Sequence, residues 1–219
     1  MNKGTFLLVI GWVFCLRMGQ AQGRSWEVAI GGGATYNFTT PLSIYQDDQP
    51  EIKIKARYRT EPFRAPVYYD IRVNKWRENT GWALKFTHHK IILENLPPEI
   101  QRFSITDGFN LLTANRLWRR NNFSWSVGGG VVITHPESTI RQKPYPENKG
   151  LLNQGYYISG PTLEAAVAQR YYLFNRLFLS GEARVTGSWV RVPVVSGHAN
   201  VTNAALHLVA GLGFNLTKK

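Results

Sequence analysis

The run LFLSGEARVTGSW, residues 177–189, has two opposite faces. Its odd positions are Leu177, Leu179, Gly181, Ala183, Val185, Gly187 and Trp189, and its even positions include Ser180, Glu182, Arg184, Thr186 and Ser188. A side-chain period of two is that of a β-strand, in which successive residues point to opposite sides. The closing run repeats it, with Leu206, Leu208, Ala210, Leu212, Phe214 and Leu216 against Ala205, His207, Val209, Gly211, Gly213 and Asn215. Both runs are about twice the length of an ordinary five- or six-residue strand. The polar face of a soluble sandwich meets water and carries Lys and Glu; here small polar residues and single charges suit the inside of a narrow barrel. The apolar face suits lipid. Backbone groups cannot stay unpaired in hydrocarbon, so a spanning sheet has to close on itself. The expectation is an all-β chain forming a closed antiparallel transmembrane β-barrel.

Outward from that pair, the chain begins with an export signal. Met1 to Ala21 has a basic start at Lys3, an apolar core from Phe6 to Phe14, and Gly19-Gln20-Ala21 as a small-x-small cleavage site. The apolar run is about half the roughly 20 residues that a spanning helix needs. This divides the chain into a signal peptide, 1–21, and one barrel domain, 22–219. Cys15, the single cysteine, falls within the signal, so neither disulfides nor thiol ligands enter the chemistry of the mature chain. Removing Lys3 and Arg17 leaves 24 basic residues against 14 acidic ones, a net charge of +10. The mean hydropathy of −0.25 suits a barrel, because half of each strand faces inward. A basic surface on an exported protein points to lipopolysaccharide phosphates in the outer membrane and away from nucleic acid.

Six further strands are expected at 25–36, 66–76, 82–89, 102–117, 123–134 and 155–173. Three short connections, 77–81, 119–122 and 174–176, alternate with four longer ones, 37–65, 90–101, 135–154 and 193–200. Eight strands with both ends on one side require this alternation, and short periplasmic turns with long outer loops are its usual form. Trp76, Trp82, Trp118, Phe123, Tyr171, Tyr172 and Phe178 cluster near the short turns as an aromatic girdle. Glu51 to Thr60 also alternates and is read as an upward extension of the second strand, broken by Pro62 and Pro66; a ten-stranded ring is the other count.

The polar parity assigns Glu27, Asp70, Arg72, Lys85, Arg116, Glu164, Arg170, Glu182, Arg184 and His207 to the lumen. An eight-stranded barrel is just wide enough for side chains to fill it, so these mixed charges should pair. No metal site or cofactor is expected, since no pair among the five histidines has ligand spacing on one face. Candidate chemistry sits in Thr87-His88-His89-Lys90 and Ser104-Ile105-Thr106-Asp107-Gly108. Parity places His89 with Lys85 and Thr87, and a histidine beside Ser104, with Asp107 or Glu99 as the carboxylate, could activate a hydroxyl for ester hydrolysis.

The eight-strand plan and this His-bearing strand resemble small bacterial outer-membrane barrels, among them the lipid A deacylases, in which a serine follows the histidine by two residues. Here Lys90 and Ile91 stand at those places. The stretch from Leu84 to Arg116 also resembles a group of outer-membrane barrels with His-His-Lys followed by an aromatic-Asn-Leu-Leu run, here Phe109-Asn110-Leu111-Leu112. Two functions follow as expectations. One is a closed, non-enzymatic barrel that binds a ligand or partner of the envelope through its loops, using a basic rim of Lys53, Lys55, Arg57, Arg59, Arg141, Lys143 and Lys149. The other is a lipid A-modifying hydrolase using His88 or His89.

Overall fold

A computed structural model describes residues 24–146, 150–151 and 153–217. The signal-peptide reading of 1–21 and the rim residue Lys149 lie outside them. Every element among the described residues is a strand: β1 Arg24–Asn37, β2 Thr40–Gln46, β3 Ile52–Ala56, β4 Tyr58–Arg59, β5 Tyr69–Arg77, β6 Thr80–Leu93, β7 Ile100–Arg120, β8 Phe123–Ile140, β9 Lys143–Pro144, β10 Tyr157–Tyr172, β11 Leu177–Val194 and β12 Gly197–Asn215. Eight of them form a ring in the order β1-β5-β6-β7-β8-β10-β11-β12, all neighbours antiparallel. The ring closes where β12 returns to β1, from Glu27 opposite Asn215 to Asn37 opposite Ala205.

The remaining pieces extend the same eight places. β2 continues β1 along β12, with Leu42 opposite Val201 and Gln46 opposite Gly197. β3 pairs with β2, and β4 pairs with β6 through Tyr58 and Leu93. Residues 52–59 therefore stand above β5 in its own place in the ring, as the extension reading expects, and the strand count stays at eight. The interruption, residues 60–68, is exposed from Phe63 to Val67, and Tyr68 turns inward.

Height along the strands decides which solvent each face meets. On β11 and β12 the outward residues from Leu179 and Phe214 up to Trp189 and Thr202 form an apolar belt, with Val185 and Leu208 exposed at mid-height. Above Trp189 the pattern inverts. One lateral row, Lys53, Ser43, Asn200 and Arg191, faces out. The next row, Ile52, Ile44, Ala199 and Val192, faces in and is buried. These residues join Phe103, Ile105, Phe109, Ile91 and Ile140 in an apolar core that fills the barrel at its loop end. The barrel thus has two storeys. The lower is greasy outside and polar inside, and the upper is the reverse.

Three sequence expectations change. The connection expected at 193–200 is a two-residue turn, Val195-Ser196, because β11 and β12 run on into the upper storey until Val194 meets Gly197. Ser196 sits there at φ 52°. Trp76 and Phe178 leave the girdle: both are buried inside the barrel, whereas Trp82, Phe123 and Tyr171 are exposed on the outer wall. Arg116 leaves the lumen. On β7 the odd positions Leu111, Thr113, Asn115 and Leu117 are the buried ones, so Arg116 points outward, where its guanidinium lies over the rings of Trp82 and Trp118 at 5.4 and 6.0 Å.

An arginine at mid-belt would have to enter hydrocarbon. Leu208→Arg should destabilise the barrel in vesicles by about 2–4 kcal/mol, and Thr202→Arg at the upper edge by about 0–1 kcal/mol, read by urea titration in lipid vesicles.

Candidate functional site

The lower storey is held by one charged cluster. Arg184 is fully buried and donates to Asp70 Oδ2 at 2.6 Å, to Glu182 Oε1 at 2.6 Å from Nη2 and 2.8 Å from Nε, and to Thr87 Oγ1 at 2.5 Å. Thr87 in turn donates to Asp70 at 2.7 Å. Arg72 bridges Asp70 at 2.9 Å and Glu182 at 2.6 Å. Lys85 bridges Glu164 at 2.9 Å and Glu182 at 3.4 Å. Three cations face three carboxylates, so the buried sum is zero. Small residues across the ring make room for these long side chains: a Cβ on Gly211 would stand 3.1 Å from Ser180 Oγ and 3.3 Å from Arg72 Nη2.

A second cluster closes the turn end. Glu27 accepts from Arg170 Nη1 at 2.9 and 3.0 Å and from Trp76 Nε1 at 2.7 Å, with Arg119 3.7 Å away. The cavity left between the clusters encloses about 30 Å³, room for one or two waters. His207 caps the upper cluster. Its Nδ1 is 3.2 Å from both Thr35 Oγ1 and Tyr68 OH, and its Nε2 is 3.0 Å from Thr186 Oγ1.

The hydrolytic candidates do not come together. His89 faces inward, its ring 5.0 Å from those of His207 and Phe109, with no hydrogen-bond partner on either nitrogen among the described residues. His88 faces outward, stacked on Tyr69 at 5.0 Å, with Nδ1 2.8 Å from Asn110 Oδ1. Ser104 is outward-facing too, but it lies opposite Ile92 on β6. At about 3.3 Å per residue this is on the order of 13 Å from His88 along the strand. Asp107 is exposed on a bulge of β7, where the pairing with β8 slips between Ile105 and Phe109. Glu99 is exposed just before β7. Among the described residues no hydroxyl is hydrogen-bonded to His88 or His89, so neither has a serine or threonine to activate.

The rim residues divide. Lys53, Lys55, Arg57 and Arg59 share the exposed face of residues 52–59, while Ile52, Ala56 and Tyr58 alternate inward. Lys53 pairs with Glu51 at 2.7 Å and Arg59 with Glu61 at 2.5 Å. The Arg59 hydrogen bond holds the Glu61 carboxyl below its ordinary range. Arg141 donates to Gln46 Oε1 and Pro50 O at 2.5 and 2.8 Å, which ties two loops together. Lys143 is exposed.

Sequence reasoning missed a cleft on the outer wall at the level of the polarity inversion. It holds about 500 Å³ between residues 59–65, the upper ends of β6 and β7, and β8. Glu61, Lys90, Ser104 and Glu137 line it. Its signal was the pair of breaks that frame it, Pro62 with Pro66 and the bulge at Gly108.

A closed eight-strand ring with an apolar belt and a filled lumen defines a small β-barrel of the outer-membrane kind. Solved structures of that kind are similar to it. OprG of Pseudomonas aeruginosa aligns with TM-score 0.50 at 11% identity, over 89% of this chain and 97% of that one. Ail of Yersinia pestis aligns with TM-score 0.41 at 10% identity, over 89% and 100%. AlkL, determined in lipid bilayers, aligns with TM-score 0.45 at 12% identity, over 94% and 96%. No protein-family model and no curated protein matches the sequence.

Arg184→Met would leave three buried carboxylates against two cations, Arg72 and Lys85, in the lumen. The loss should be about 3–5 kcal/mol, the usual result of breaking a buried pair, and urea unfolding of the refolded barrel measures it.

Proposed function

We propose that this chain is exported through its signal peptide to the bacterial outer membrane. There it acts as a plugged, non-enzymatic barrel whose loop end holds anionic groups of lipopolysaccharide. The observation that carries this reading is the filled interior. Paired charges occupy the lower storey around a cavity of about 30 Å³, and an apolar core occupies the upper one. A barrel without a path through it acts with its outer surface.

At the loop end the exposed face of residues 52–59 is basic. Lys55 and Arg57 have no ionic partner among the described residues, and they stand above the belt, where a membrane's anionic headgroups lie. Each such side chain contributes about 1 kcal/mol of attraction near a charged surface, and salt screens it.

Reconstituted in planar bilayers, the protein should give no conductance steps. Its binding to lipopolysaccharide-containing vesicles should weaken with salt and fall about fivefold with each of Lys55→Gln and Arg57→Gln. Binding indifferent to both salt and charge would sink the reading. Loss of an acyl chain from lipid A that depends on His88 or His89, detected by mass spectrometry, would replace it with the hydrolase.

A further inference from the structure

The cleft on the outer wall contains two polar groups whose needs the protein leaves unmet. Lys90 is 4% exposed. Its ammonium donates to Arg64 O at 2.9 Å and Ala65 O at 3.0 Å, which leaves one N–H over. No carboxylate lies within 4 Å of it among the described residues. The nearby acids are already engaged: Glu61 by Arg59 and by Arg64 at 3.5 Å, Glu137 by Arg102 and by Thr106 Oγ1 at 2.7 Å. Ser104, also 4% exposed, presents an Oγ without a partner. A buried cation with no carboxylate in contact and a buried hydroxyl without a partner are both costly. Both line this one cleft.

We propose that the cleft binds a phosphate monoester. An anion supplies the missing charge to Lys90 and an acceptor to Ser104. A phosphate monoester has three strong acceptor oxygens, enough also for Arg64, whose side chain is 78% exposed at the mouth. Three carboxylates oppose the anion: Glu61 and Glu137, which Arg59, Arg64 and Arg102 offset, and Asp107, which stands exposed on the bulge, where water weakens its repulsion. Ile92 and Leu96 continue the lining and suit the apolar part of an amphiphile. The cleft opens just above the belt, at headgroup height, so its phosphate is either lipid-borne or free. The lipid-borne source rests on the outer-membrane reading above; the anion site does not.

The test uses the folded barrel in dodecyl maltoside, with inorganic phosphate and monododecyl phosphate as probes, followed by calorimetry and ³¹P NMR. One saturable site is expected. Tighter binding of monododecyl phosphate by tenfold or more assigns the site to a lipid headgroup, and equal affinities assign it to free phosphate. Ser104→Ala and Lys90→Met should each weaken binding about tenfold, and Asp107→Asn should strengthen it. Lys55→Gln with Arg57→Gln should leave it unchanged, which separates this site from the basic rim. If Lys90→Met does not fold, Ser104→Ala decides. No saturable binding, or full affinity retained in Ser104→Ala, overturns the proposal.

Discussion

A sheet closed on itself has no edge to offer solvent, and everything else in this structure follows from that closure. The β1–β12 seam satisfies the last row of backbone groups, so hydrocarbon can be tolerated outside. Closure also creates an interior that must be filled, because eight strands leave space for side chains and little more. Over the belt the outer face is committed to apolar residues, which leaves the polar ones to fill the inside. Above the belt water surrounds the wall, and the strands exchange their faces: Ser188 is the last polar inward residue of β11, and Val190, Val192 and Val194 follow it.

The lower filling works because its charges balance locally. Asp70, Glu164 and Glu182 against Arg72, Lys85 and Arg184 leave no net charge, and Thr87 takes up remaining capacity on Asp70 and Arg184. Such a network adds little net stability compared with an apolar core. An apolar filling would leave greasy residues on both faces of every strand. A fixed set of ion pairs instead differs in chemistry from the outer face and links β5, β6, β10 and β11 across the lumen.

Much of this was legible in the sequence. Period-two alternation located all eight ring strands; of the ten residues expected in the lumen, all but Arg116 are buried. It also found that residues 51–60 continue the second strand. Arg116 departs from the expectation because charge alone does not mark the lumen: at the belt's edge a guanidinium can lie over Trp82 and Trp118 and reach water. Trp76 departs from it for the opposite reason: its indole is apolar by composition, yet its N–H serves Glu27. The upper core was visible in principle, since Val190, Val192 and Val194 continue the parity of Arg184. The loop expected at 193–200 conceals that continuation, because Pro193 and Gly197 read as turn residues. The outer cleft depended on a bulge and a chain excursion meeting from opposite sides, and alternation within single strands carries no record of such a meeting.

The inversion of faces also fixes the barrel's depth. The belt spans a set number of residues, from about Phe214 to Thr202 on β12. Below it the wall cannot rise without lifting the girdle of Trp82, Phe123 and Tyr171 into hydrocarbon, and above it the wall cannot sink without drawing down Lys53, Arg191 and Asn200. Strands locked in a ring cannot tilt individually to adjust, as a lone helix does. Where the surrounding bilayer differs in thickness from the belt, the lipid has to stretch or thin around the protein, at a cost of fractions of a kcal/mol per Å.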